Sequence, residues 1–307
     1  MIDLRQTLHD YLGIRRALGH KLEDAGRLLP GFVTFLEESG ATSISSQLAL
    51  DWATQAKRGG PPWFAARLGM VRPFARYVSA LDPRTEIPSI DLLPSRRSRK
   101  TPYLYSDQDL QALLAAARSL RSPFIASTYA TLLGLLACTG MRVGEALALD
   151  RSDLDQRDGL LLVRHGKFGK SRLLPLHPTA TLALEEYRRG RDRVVRYPRS
   201  PSLLLSSVGT RLDYRRVHHV FLQLVKRAGL ADRPPRRPRI HDIRHSFALW
   251  TLLEWYRAGV DVEPRLPVLS TYLGHVSPST TYWYLTATPE LVMLAHQRLE
   301  DALGVVP

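Results

Sequence analysis

The stretch "LDPRTEIPSIDLLPSRRSRKTPYLYS", residues 81–106, limits what this chain can fold into more than any other. Pro83, Pro88, Pro94 and Pro102 each lack the backbone donor that a helix interior or a central strand needs. The apolar residues between them follow neither a helical nor an alternating period. No continuous core element crosses such a segment, and it carries the cations Arg96, Arg97, Arg99 and Lys100. The composition predicts a basic linker over 96–105 that joins a domain of residues 1–95 to one of residues 106–307. Arg99 and Lys100 are candidate contacts to a nucleic-acid backbone, against the alternative of a solvated charge run.

The first domain reads as helices. "LRQTLHDYLGIRRAL" has helical spacing, and Leu22, Ala25, Leu28, Leu29, Phe32 and Phe35 form a stripe in the next segment. Pro30 is expected to kink or split that segment, and Gly40 to stop it. A third helix is expected over "SSQLALDWATQAK". A fourth follows the "GGPPW" break through Leu68, Val71, Phe74 and Val78, with Pro73 at its middle. In the second domain, Ser106 followed by Asp109 predicts a capped helix start, and "ASTYATLLGLLACTG" a second long helix. The pattern then changes: the apolar runs 160–163 and 173–175 flank a basic glycine turn, a β-hairpin signal. Helical periods resume from Pro178.

Composition narrows the function. The 307 residues carry a formal net charge of +14, which favours a polyanionic partner, with DNA or RNA first. The longest largely apolar run, residues 129–141, is too short to cross a bilayer. Asp3, Arg5 and Asp10 interrupt any early apolar signal, and the single cysteine, Cys138, allows no internal disulfide. A cytoplasmic protein with Cys138 as a small core residue is the expectation.

Four segments carry candidate chemistry. "TGMRVGEALAL" sets Arg142 between strongly apolar runs, where a partly buried guanidinium needs an anionic partner; Glu145, one turn on, can simply pair with it. The hairpin tip "HGKFGKSR" projects Lys167, Lys170 and Arg172 within range of a phosphate. "PRIHDIRHSFALW" puts His241 and Arg244 on one helix face, able to address two oxygens of one phosphate. His241 and His245 at i, i+4 also imitate a metal-binding helix, but Arg244 would place a cation beside the metal. "LGHVSPSTTYWYL" combines His275 with Tyr282 and Tyr284. Tyrosine is a poor nucleophile near neutral pH unless a dense positive field stabilises its phenolate. The chain has neither a phosphate-binding glycine loop of the Walker type nor a carboxylate cluster for paired magnesium ions.

Taken in order, "TGMRVGEAL", "GKFGKSRLLPL", "HDIRHSFA" and "LGHVSPSTTYWY" resemble the tyrosine recombinase (phage integrase) family over roughly residues 103–300. The resemblance implies a mainly α architecture with a small β-hairpin or sheet: a helical core-binding domain and an α+β catalytic domain that together clamp a DNA duplex. It assigns Arg142, Lys167, His241, Arg244, His275 and Tyr284 as catalytic, with Tyr284 attacking a DNA phosphodiester to leave a 3′-phosphotyrosine link. Arg142 and Arg244 would bind the non-bridging oxygens and Lys167 protonate the leaving 5′-oxygen. His241 would help move the tyrosine proton, and His275 would donate to the phosphate. Lys170 and Arg172, with Arg99 and Lys100, are read as DNA contacts. No metal or cofactor is expected; the expected partners are duplex DNA and further copies in a tetrameric synapse, with residues 289–303 docking on a neighbouring subunit or on their own domain. A strand-relaxing type IB topoisomerase and a non-catalytic DNA-binding protein on the same scaffold are the alternatives.

Overall fold

The computed structural model describes residues 2–56, 59–93, 101–164, 171–234, 237–275, 279–282, 284 and 289–303. The chain divides into two compact units, residues 1–100 and 101–307.

The first unit is built from α1 (Leu4–Ala17), α2 (Glu23–Glu38), α3 (Ser46–Thr54) and α4 (Pro61–Ser79). Asp3 caps α1 by accepting the Arg5 and Gln6 amides at 2.9 and 3.0 Å, and Ser45 caps α3 through the Leu48 amide. One stripe of each helix meets in a shared core that includes Leu8, Phe32, Leu36, Trp52, Leu68 and Phe74. Pro30 does not split α2, which runs unbroken through it. Pro30 is exposed while its neighbours Leu29, Phe32 and Val33 are buried. The Gly26 carbonyl that loses its amide partner therefore lies on the water-facing side, and core packing on the opposite face keeps the helix intact. Pro73, also exposed, is carried inside α4 in the same way. Gly40, at φ 66°, stops α2 as expected, and the Ala41 amide bonds back to the Leu36 carbonyl. Residues 81–93 belong with this unit: Arg72 donates to the Pro88 and Ser89 carbonyls, and Glu86 accepts the Ser46 amide at 2.7 Å.

The second unit opens with α5 (Asp107–Arg118), α6 (Pro123–Thr139) and α7 (Val143–Ala148). A three-stranded antiparallel sheet follows, in the order β1 (Leu154–Asp155), β2 (Leu160–Val163), β3 (Arg172–Pro175). The β2–β3 hairpin has the register Leu161↔Leu174 and Val163↔Arg172, which sends Leu161, Val163 and Leu174 into the core. Strand β1 is two residues long, too short to show a sequence period. Helices α8 (Pro178–Val194), α9 (Tyr214–Arg227), α10 (Asp242–Arg257), α11 (Leu266–Leu273), α12 (Ser279–Tyr282) and α13 (Pro289–Leu303) complete the unit.

Three expectations are corrected or sharpened here. Tyr103 and Tyr105, counted with the linker from the sequence, are buried in the second unit, where the Tyr105 amide donates to Ser246 Oγ at 2.8 Å. Cys138 is not a core residue; it lines an open cleft of about 910 Å³ between α6 and α8. Helix α13 packs on α10 of its own unit, with Leu291 fully buried and Glu290 paired to Arg257. Among the described residues no helix is long and apolar enough to cross a membrane.

Candidate active site

The last carbonyls of a helix have no partner within it and carry its negative end, so they attract cations. The end of α11 gathers three. The Tyr272 carbonyl accepts from Arg172 Nε at 2.8 Å, the Leu273 carbonyl from Arg244 Nη2 at 2.7 Å, and the Gly274 carbonyl from Arg142 Nη2 at 2.8 Å. Arg244 also donates from Nη1 to the carbonyl of Gly140, the residue that ends α6. Two helix ends, each closed by a left-handed glycine, thus fix the guanidinium groups that the sequence placed far apart.

A methyl group on Gly140 would lie 2.4 Å from Phe247 Cδ1, on a backbone at φ 58°. Gly140→Ala is therefore expected to lower stability by roughly 2–4 kcal/mol, from backbone strain plus overpacking, as read by urea denaturation.

Glu145 lies beneath the arginines and is almost fully buried. Its Oε1 accepts from Arg142 Nη1 at 2.8 Å and Arg172 Nη1 at 3.1 Å; its Oε2 accepts from the Arg142 amide at 3.0 Å and Arg172 Nη2 at 2.7 Å. Burial works to raise its pKa, but these hydrogen bonds and the arginine charges prevail and hold it at about 2. Arg244 is 3% exposed, and its pKa is lowered to about 10 by burial and then by the charge of Arg142. It remains a cation at neutral pH.

Three imidazoles stand around this cluster. His241 immediately precedes α10 and meets His245 edge to face, with ring centroids 4.9 Å apart. His245 Nδ1 is 2.9 Å from the Tyr284 hydroxyl. His275, directly after the α11 cap, is 2.7 Å from Thr281 Oγ1 through Nδ1 and lies parallel to the Tyr284 ring, with centroids 6.3 Å apart. Tyr284 is 2% exposed and packs with Leu249, Leu273 and Leu291, whereas Tyr282 is 45% exposed. Tyr284 is also among the groups that act on the Arg244 charge. Its contact with His245 is not legible in the sequence, where His245 reads only as a metal-ligand candidate. The two residues are 39 apart, and neither motif refers to the other.

Burial, followed by neighbouring positive groups, lowers the pKa of His241, takes His275 from 6.5 to about 4, and takes His245 to about 3. A base with a depressed pKa binds fewer protons folded than unfolded. The stability it confers is complete above about pH 6.5 and declines as the pH falls toward 4 and 3. The melting temperature is expected to be flat between roughly pH 7 and 9 and to fall steadily below 6.5. His245→Gln, which cannot be protonated, is expected to shallow that fall.

The structure brings Arg142, His241, Arg244, His275 and Tyr284 together. Lys167, Lys170, Arg99 and Lys100 lie outside the described residues. Arg172, read from the sequence as a DNA contact, instead turns inward: its side chain is 12% exposed, with Nε, Nη1 and Nη2 bonded within the cluster. Of the basic run 233–239, Arg233 is tied to Asp109 and Arg239 to Asp242, both carboxylates of the same unit. Among the described residues no group of three or more His, Cys, Asp or Glu side chains is arranged to hold a metal ion.

Residues 103–290 match the model of the phage integrase family. The protein named "Putative integrase/recombinase y4rB" of Sinorhizobium fredii is 45% identical over 307 residues, covering 98% of both chains. Tyrosine recombinase XerD of Caulobacter vibrioides is 33% identical, covering 95% of this chain and 86% of that one. Among solved structures, the Tn1549 transposon integrase in complex with transposon right-end DNA superposes with a TM-score of 0.67 at 17% identity, over 95% of this chain and 99% of that one. That likeness speaks for the fold alone, whereas the family match spans most of the second unit and the curated relatives span both units. With its motifs, its cation cluster and its relatives in agreement, this chain belongs to the phage integrase family.

Proposed function

We propose that this chain is a site-specific DNA recombinase that cuts and rejoins duplex DNA through a 3′-phosphotyrosine link to Tyr284. The observation that carries the reading is the gathering of Arg142 and Arg244 at the end of α11, beside the buried phenol that His245 holds. Each guanidinium bonds two fixed oxygens and keeps further N–H groups for a phosphate. Both charges are set before substrate arrives, so little reorganisation is needed as negative charge builds on the phosphorane.

In the reaction the Tyr284 oxygen forms a bond to phosphorus, the bond from phosphorus to the 5′-oxygen breaks, and Lys167 supplies the proton to that oxygen. The phenol proton passes to the imidazole pair His241 and His245, whose basicity is depressed first by burial and then by neighbouring positive groups, and a phosphate anion offsets the second of these. His275 donates to the phosphate. Because Tyr284 is 2% exposed, its hydroxyl must emerge from its pocket for a phosphate to reach it. The energy of the phosphodiester is kept in the covalent link, so religation consumes no nucleotide.

The net charge of +14 supports duplex DNA as the partner, with Arg99, Lys100 and Lys170 among its contacts. Relatives aligned over both units support a DNA-contacting role for residues 1–100. Structures related in fold include a lambda integrase tetramer bound to a Holliday junction, which supports a tetrameric synapse. A cytoplasmic location suits a chain that acts on DNA. The strand-relaxing alternative gains nothing from relatives that carry integrase and recombinase names.

The test uses a duplex selected by the protein from a randomised pool, nicked so that cleavage releases a short strand and traps the adduct. A covalent protein–DNA species whose linked peptide contains Tyr284, together with exchanged duplexes from the intact site, is expected. Relaxed circles without exchanged strands would overturn the recombinase reading.

A further inference from the structure

Of the three guanidinium groups in the cluster, Arg172 is the one whose three nitrogens are all bonded to the chain itself. Its Nε, Nη1 and Nη2 are all engaged, spanning both oxygens of Glu145 and holding the Tyr272 carbonyl, whereas Arg142 and Arg244 bond through Nη1 and Nη2 alone. A Cβ on Gly274 would lie 2.7 Å from Arg172 Nη1, so the glycine lets the guanidinium lie flat against the end of α11. The same Glu145 is the carboxylate bonded to Arg142. With Arg142 as its sole partner, Glu145 would cancel most of the positive potential that Arg142 offers to a substrate. With Arg172 on its other side, one negative charge is shared between two cations, and the group keeps a net charge of +1.

We infer that Arg172 is a positioning residue that keeps the buried Glu145 carboxylate from neutralising Arg142, so that the Arg142 charge remains available to the scissile phosphate. Its grip on the Tyr272 carbonyl also fixes the helix end from which Arg142 and Arg244 hang. This rests on the proposed recombinase reaction. It places the hairpin arginine inside the electrostatics of cleavage rather than on the DNA.

The experiment measures adduct formation on the trapped duplex, with DNA affinity and thermal unfolding recorded for every variant. Arg172→Met keeps the length of the side chain and removes its charge; cleavage is expected to slow on the order of 10²-fold with affinity nearly unchanged. Adding Glu145→Gln removes the carboxylate that Arg172 offsets, and is expected to restore about 10-fold of the loss. A duplex with a methylphosphonate at the cut site has no formal charge on that phosphate, and on it the gap between parent and Arg172→Met is expected to narrow to a few-fold, about 3-fold or less. Arg172→Lys keeps the charge without the fork and is expected to stay within about 10-fold of the parent; it serves if the methionine variant does not fold.

Slow cleavage that neither Glu145→Gln nor the methylphosphonate rescues would make Arg172 a plain packing residue and overturn the inference. Loss of affinity in step with rate would return it to the DNA interface. If the parent chain itself forms no adduct, the recombinase reading fails instead. The two failures are therefore distinct.

Discussion

Tyr284→Phe is expected to remove the covalent adduct, a loss of at least about 10⁴-fold in cleavage, while DNA affinity stays within about two-fold of the parent. The size of the effect follows from chemistry: phenylalanine has no oxygen to bond phosphorus, and the surrounding cations cannot supply one. The fold tolerates the change because the ring keeps its place against Leu249, Leu273 and Leu291. The variant loses the hydrogen bond to His245, at a cost of about 1 kcal/mol in unfolding free energy. Tyr282→Phe is the paired control. Tyr282 is 45% exposed, and its hydroxyl is not required by the proposed chemistry, so cleavage is expected near the parental rate. An adduct that survives in the Tyr284 variant and vanishes in the Tyr282 variant would exchange their roles.

Arg244→Lys is the second large effect, with cleavage expected to fall about 10³-fold. The guanidinium reaches from the Gly140 carbonyl to the Leu273 carbonyl, each from a different terminal nitrogen. A lysine ammonium is a single point that cannot span both while still facing a phosphate. Arg244→Ala goes further by leaving two buried carbonyls without their donor, and is expected to lose about 2–4 kcal/mol of stability as well. Cleavage and stability are therefore read together, with rates compared at equal folded fraction. A lysine variant that folds, binds DNA and cleaves at close to the parental rate would remove Arg244 from the reaction.

The sequence carried much of this arrangement. Helical stripes, the Ser106 cap and the β2–β3 hairpin were all readable because each depends on residues only a few positions apart. The family motifs named Arg142, His241, Arg244, His275 and Tyr284, and these residues do converge. What failed to show were relations over long separations. The exposed face of α2 that accommodates Pro30 depends on which side the core lies. The inward turn of Arg172 depends on Glu145, 27 residues earlier, and on the end of α11, 100 residues later. The His245–Tyr284 contact joins two motifs that are each explicable without the other. Charge alone suggested that exposed arginines meet DNA; folding spends several of them on carboxylates and carbonyls of the chain itself.

The anchoring of the arginines on helix-end carbonyls has a consequence for how such a protein decays. A copy that loses its tyrosine hydroxyl is expected to stay folded and keep its grip on a recognition sequence, so it would persist as a competitor that occupies sites without opening them. A copy that loses Arg244 forfeits a fastener of its own architecture and is prone to clearance by proteases. Inactive descendants of this chain should accordingly retain their guanidinium groups long after the phenol is gone.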